Sequence, residues 1–253
     1  MAGGTDWEDV AEHWVAWART PGHDAYWSYR RSFFEAIVPP PGRLTVEMGC
    51  GEGRVGRDLR DRHHRVVGVD LSPTLVRRAR QADPDGAYLL ADGAALPLGT
   101  AVCDLVVAYN SLMDIADMPG AVAEAARVLI PGGCLCACVT HPLEKTGRFE
   151  TDAPDAAFVV THPYFGRRRF EDSVARAGLV MTFRGWSYPL EDYASAIERA
   201  GLLVERLREP LPEAPARHMA QWTRMPMFLH LRARKPGGGD PGPLPPRHGE
   251  TLG

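Results

Sequence analysis

Between Leu44 and Leu59 the chain reads Leu-Thr-Val-Glu-Met-Gly-Cys-Gly-Glu-Gly-Arg-Val-Gly-Arg-Asp-Leu, with Gly49, Gly51 and Gly53 at every second position. Glycine takes positive φ at little cost, and a run without side chains lets backbone lie directly against a ligand. Ahead of it, Leu44, Val46 and Met48, entered from the Pro39-Pro40-Pro41-Gly42 break, predict a short buried strand. Behind it, from about Arg54, the spacing of Val55 and Leu59 predicts a helix whose first amides point back at whatever the glycines hold. Strand, glycine turn and helix together form a holder for a nucleotide-like ligand. A glycine-rich connection with no ligand is the plainer alternative.

Two cofactor classes use such a turn. Gly51, Gly53 and Gly56 satisfy Gly-x-Gly-x-x-Gly, and Asp70 ends the next strand, as a dinucleotide site requires; an NAD-dependent oxidoreductase is one reading. Glu47, two residues before the first glycine, favours another. The string Glu-x-Gly-x-Gly-x-Gly resembles motif I of the class I S-adenosylmethionine (SAM) dependent methyltransferases of small-molecule type, and the resemblance covers about residues 40 to 235.

That resemblance implies SAM as cofactor and S-adenosylhomocysteine as product. Glu47 would help anchor the methionine amino group, and the backbone of Gly49, Cys50, Gly51 and Gly53 would lie along methionine and ribose. Asp70, closing the predicted strand Arg65–Asp70, would accept both ribose hydroxyls, with Leu71 against the adenine. Ser72-Pro73 starts a helix through about Ala82. Ala87–Ala91 is a third strand, and Asp92-Gly93 after it resembles the adenine loop, where an acid accepts the exocyclic amine. Asp104–Tyr109 is a fourth strand, placing Asn110 and Ser111 beyond a carboxyl strand end, where open α/β sheets bind ligands. This segment does not read Asn/Asp-Pro-Pro-Tyr/Phe as in amino and nucleic-acid methyltransferases, which favours a small-molecule acceptor.

The later chain completes the expected sheet. Pro119 to Leu129 carries a helical apolar stripe, Pro131-Gly132-Gly133 stops it, and Gly133–Thr140 forms strand five; Arg127-Val-Leu-Ile-Pro-Gly-Gly133 looks like a later motif of the same family. A helix from Pro189 to about Ala200 closes on Gly201, Leu202–Leu207 is strand six, and Met227–Arg234 is strand seven, which the resemblance makes antiparallel beside strand six. The expected fold is a doubly wound α/β domain with a seven-stranded, mostly parallel sheet. It is preceded by a helical lid over residues 1–38 and interrupted by a cap at about 141–189, and a tail over 236–253 is too poor in apolar surface to order.

Lid and cap supply the acceptor-site candidates. Residues 5 to 38 are rich in aromatics at helical spacing, and Tyr26, Trp27 and Arg30, after the Pro21-Gly22 break, are candidate acceptor contacts. In the cap, His141, His162 and Tyr164 are candidate catalytic groups, because a histidine titrates near neutrality and can take a proton from an acceptor. Trp186 and Tyr188 are candidate substrate contacts, and Arg167-Arg168-Arg169 is either a solvated face or a reader of acidic acceptors. Cys134, Cys136 and Cys138 alternate along one strand, poor spacing for a zinc loop, so buried reduced thiols and no metal are expected. The formal charge of -3 gives no overall pull toward nucleic acid, and no apolar stretch approaches a membrane span. With no basic signal-like head at the N-terminus, the expected setting is cytoplasmic. The aromatic content suggests a flat organic acceptor from specialised metabolism, methylated at carbon, nitrogen or oxygen; a SAM-binding protein without catalysis is the non-enzymatic alternative.

Overall fold

A computed structural model describes residues 4–213 and 217–237. Three helices, α1 (Gly4–Asp9), α2 (Ala11–Arg19) and α3 (Tyr26–Ala36), precede the first strand, β1 (Thr45–Met48). Every residue of β1 is buried, as expected of a central strand covered by helices on both faces. Then α4 (Arg54–Arg60), β2 (Val66–Asp70), α5 (Pro73–Ala82), β3 (Ala87–Leu90) and β4 (Cys103–Tyr109) alternate. Helix α5 begins as its sequence demands: Ser72 Oγ accepts the Leu75 amide at 3.1 Å and proline fills the first position.

Helix α6 (Met118–Val128) runs directly into β5 (Leu129–Thr140). The expected break at Pro131-Gly132-Gly133 is instead an irregularity inside the strand. Leu129 already pairs with Cys103, the register then shifts, and Gly132 takes φ +83° before Cys134 pairs with Leu105. After the cap come α7 (Leu190–Arg199), which Gly201 follows at φ +72°, β10 (Leu203–Arg208) and β11 (Phe228–Arg234). The strands of the main sheet run β10-β11-β5-β4-β1-β2-β3, and β11 lies antiparallel to both β5 and β10.

One core lies between the sheet and α6 and α7, around Met48, Val106, Leu135 and Leu229. The other lies under α3, where Tyr26, Tyr29 and Phe33 pack on Tyr109, Cys136, Cys138 and Phe228. His230, also on this face, is fully buried, and burial pushes its pKa down to about 4. The five cysteines are free, and only Cys134 is partly exposed.

The cap segment forms two antiparallel hairpins, β6 (Gly147–Phe149) with β7 (Phe158–Val160), and β8 (Arg168–Arg176) with β9 (Leu179–Ser187). Ala177 and Gly178, both at positive φ, make the two-residue turn of the longer hairpin. Helix α2 packs across β9 and α5. Trp14 and Trp17 meet Phe183 edge-on at 6.3 and 6.1 Å, tying the N-terminal helices to the cap. Among the described residues, no helix is long and apolar enough to cross a membrane. Of the tail expected to be disordered, Pro236 and Gly237 have no regular structure and the remainder lies outside the described residues.

Candidate active site

The glycine turn after β1 has the backbone that its sequence requires, with φ of +72° at Gly49, +54° at Gly51 and +85° at Gly53. Protein packing, as well as room for a ligand, keeps it bare. A Cβ on Gly49 would stand 2.4 Å from Ser111 Cβ, and one on Gly53 would stand 2.7 Å from the Tyr88 hydroxyl. The turn is braced from β2. Asp70 Oδ2 accepts the Gly51 amide at 2.7 Å and Oδ1 accepts the Ser72 amide at 2.9 Å. Burial, only partly offset by these amides, raises the Asp70 pKa. Glu47 is 2% exposed and its Oε2 has no hydrogen-bond partner. Burial first, and the charge of Asp70 next, push its carboxyl well above the usual range.

A cavity of about 1040 Å³ opens above the carboxyl ends of the central strands. Its floor brings together Glu47, Gly49, Cys50, Gly51, Asp70, Leu71, Asp92, Gly93, Asn110 and Ser111. Gly53 is not among them, because it caps α4 and faces Tyr88 and Ala79. Leu71 presents a 44% exposed apolar side chain there, and Asp92 Oδ1 accepts the Ala94 amide at 2.9 Å. Asn110 holds φ +51°, and Ser111 Oγ donates to the Met48 carbonyl at 2.6 Å, so the exit of β4 is clasped to the exit of β1. This arrangement fits an adenosyl amino acid. Bare backbone lies between a buried carboxylate short of a partner, Glu47, and a half-buried one, Asp70, with an apolar patch and a further acid beyond.

The acceptor-site and catalytic candidates lie elsewhere. Tyr26 is buried and donates to Asp58, Arg30 pairs with the same carboxylate at 2.8 Å, and Trp27 stacks under Arg30 at 4.8 Å. All three belong to the contact between α3 and α4, behind the glycine turn. His141 is 6% exposed and engaged at both nitrogens, with Nδ1 accepting the Leu143 amide and Nε2 lying 2.9 Å from Glu209. Burial lowers its pKa, and Glu209 only partly offsets this. The His162 side chain is exposed outside the cavity, and the Tyr164 hydroxyl accepts the Leu190 amide at the start of α7. Trp186 lies beneath the Arg167 guanidinium at 3.5 Å, while Tyr188 is buried against Tyr193.

Other residues line the cap end of the cavity: Trp7, Trp14 and Trp17 from the first two helices, Phe149, Phe170 and Phe183 from the cap, and the ionisable Asp114, Glu144, Lys145 and Asp172. The hairpin Arg168–Ser187 was missed in the sequence; its signal is Ala177-Gly178 between two runs of strand formers, and nothing local says which face of it looks down. Among the described residues, no group of three or more His, Cys, Asp or Glu is placed to hold a metal ion.

The sheet order, the antiparallel β11 between β5 and β10, and the glycine turn under a roofed cavity define the fold of the class I SAM-dependent methyltransferases, whose cofactor is S-adenosylmethionine. Residues 46–137 match the methyltransferase domain family. A S-adenosylmethionine-dependent methyltransferase from Mesorhizobium loti superposes with a TM-score of 0.63 at 25% identity, over 83% of this chain and 98% of its own. The malonyl-[acyl-carrier protein] O-methyltransferase of Serratia marcescens is 34% identical over 125 residues, 47% of this chain and 49% of that protein. A demethylmenaquinone methyltransferase of Tropheryma whipplei is 26% identical over 182 residues, 70% of this chain and 73% of its own. The chain thus spans about half the length of the Serratia relative.

Proposed function

We propose that the protein transfers the methyl group of SAM to a small organic acceptor with an aromatic or otherwise flat part, held between the cofactor floor and the cap. The observation that carries this reading is the cavity. At about 1040 Å³ it stands at the top of the range of roughly 300–1,000 Å³ for small-molecule sites, room for a cofactor and an acceptor together. Its far wall is built of rings, and the formal charge of -3 offers no overall pull toward nucleic acid, which supports a small acceptor.

In this reading Glu47 holds the methionine ammonium, Asp70 the ribose and Asp92 the adenine amine. SAM supplies an activated methyl group, so the protein's share is alignment and exclusion of water. His141 and Tyr164, engaged elsewhere, have no part in the transfer, and neither does the exposed His162.

Two measurements test it. Saturating SAM or S-adenosylhomocysteine, at 100 times Kd, stabilises the protein by about 2.7 kcal/mol and raises Tm by about 5–10 °C, whereas NAD leaves Tm unchanged. A rise with NAD alone would turn the reading to the oxidoreductase. With methyl-labelled cofactor, a panel of indoles, phenols and amines gives labelled product; label passing only to acidic aliphatic acceptors would contradict the flat acceptor, and cofactor binding with no acceptor in any metabolite extract would point to a binding protein without catalysis.

A further inference from the structure

The cofactor floor leaves the cap end of the cavity unused, and that end is charged. Lys145 Nζ lies 2.6 Å from Asp172 Oδ2 and 3.1 Å from Glu144 Oε2, and 4.3 Å above the centre of the Phe170 ring. Asp114 lines the same cavity from the turn that follows β4. Its amide donates to the Ser111 carbonyl at 3.0 Å, so its position is tied to the floor residue beside the glycine turn. Strand β9 lies across it: the Trp186 amide donates to the Met113 carbonyl at 2.8 Å, and a Cβ on Gly185 would stand 2.6 Å from Asp114 Oδ1. Two carboxylates, Glu144 and Asp172, therefore share one ammonium, and a third, Asp114, lines the same ring-walled cavity.

Burial pushes Asp114 well above the usual carboxylate range. Of its neighbours, Lys145 acts most strongly to lower it, Asp70 across the floor raises it, and the Trp7 indole lowers it; the Tyr193 phenol of α7 also faces it. Glu144 is raised by burial as well. Of the other cations lining the cavity, Arg176 donates to the Gly22 and His23 carbonyls at 3.1 and 2.6 Å, Arg54 pairs with Asp24, and Arg148 extends from β6.

An organic ammonium answers both features. It supplies the missing positive charge, and aromatic faces attract it. An acceptor with a carboxylate would instead add to the excess of negative charge. Resting on the methyl-transfer reading, the geometry points to an amine as the acceptor, with Asp114 as the group that takes the proton its nitrogen must lose before attack. The step balances. The ammonium passes one proton to the Asp114 carboxylate, the freed nitrogen lone pair forms the new N–C bond to the methyl carbon, and the C–S bond breaks with its pair going to sulfur. The products are a methylated ammonium and neutral S-adenosylhomocysteine.

The test uses the full chain with labelled SAM and five probes: 2-phenylethylamine, tryptamine, phenol, indole and phenylacetate. The expected result is turnover of one or both amines. Asp114→Asn then lowers kcat on that amine about 100-fold near neutral pH. It also moves the rise of kcat with pH upward, toward the amine's own titration, while SAM affinity by calorimetry stays within about twofold of wild type. Lys145→Gln, by removing the cation that lowers Asp114, moves the same rise to higher pH without the 100-fold loss. Turnover confined to phenol, indole or phenylacetate, or to none of the five, overturns the inference, as does an Asp114→Asn enzyme with an unchanged kcat profile. Failure of the wild-type protein to bind SAM, read before any acceptor is added, would instead overturn the methyl-transfer reading itself.

Discussion

Replacing Asp70 with alanine is expected to weaken SAM binding by about 100- to 10,000-fold and to lower the stability of the empty protein by about 2 kcal/mol. The two losses have separate origins. In the empty protein both Asp70 oxygens accept backbone amides, Gly51 at 2.7 Å and Ser72 at 2.9 Å, and alanine leaves those donors without partners at the edge of the turn. Each unsatisfied buried donor costs about 1–3 kcal/mol, partly offset because a carboxylate disfavoured by burial is removed as well. The affinity loss comes from the second lone pairs of the same oxygens, which the family resemblance assigns to the ribose hydroxyls. Hydrogen bonds to a charged group contribute about 1.5–3 kcal/mol each, so losing two spans roughly two to four powers of ten. Calorimetry gives the first quantity and urea unfolding the second. Asp70→Asn separates them further: the amide has one oxygen for two backbone donors, so the turn keeps one brace while the ribose loses its carboxylate. An alanine variant that binds SAM within tenfold of wild type would remove Asp70 from the cofactor site.

The elements of the sheet were legible because short apolar runs between glycine and proline breaks have little choice, and β1 and β2 fall within a residue or so of where Val46, Met48 and Asp70 put them. That the candidate cofactor residues would come together was legible for a related reason: they lie at strand ends, so naming the strands places them along one wall of a cavity. The cap end was not. The aromatics of α3 have the same helical spacing as those of α2, yet Tyr26, Tyr29 and Phe33 turn onto the sheet beside Tyr109 and Phe228, while Trp14 and Trp17 turn to the cavity. Periodicity shows that a helix has an apolar face; it carries no information on which surface will cover that face. The same limit hid Asp114, Lys145 and Asp172, whose meeting depends on how a hairpin folds back over the turn after β4. His141 was a candidate because a histidine titrates near neutrality, and sequence alone does not show that its two nitrogens are taken up by Leu143 and Glu209.

Gly49→Ala is expected to destabilise the protein by about 3–4 kcal/mol, with Ser111→Gly recovering part of that loss. A non-glycine residue at φ +72° is strained by about 1–2 kcal/mol, and the new Cβ, 2.4 Å from Ser111 Cβ, adds an overpacking cost of about 1–3 kcal/mol. Ser111→Gly alone is also unfavourable, by about 1–2 kcal/mol, because it gives up the 2.6 Å bond from Ser111 Oγ to the Met48 carbonyl and adds backbone freedom to the unfolded chain. In the double variant the clash is gone while the strain and the lost hydrogen bond remain, so the two changes couple by about 1–3 kcal/mol in the favourable direction. Urea unfolding of the four proteins measures that coupling, and additivity within about 0.5 kcal/mol would show that φ alone reserves the position for glycine. Coupling of the expected size means that the first glycine is required by the approach of the β4 exit to the β1 exit. The two strand ends that frame the cofactor floor are then drawn together by contacts within the protein, and the floor stands ready before any ligand reaches it.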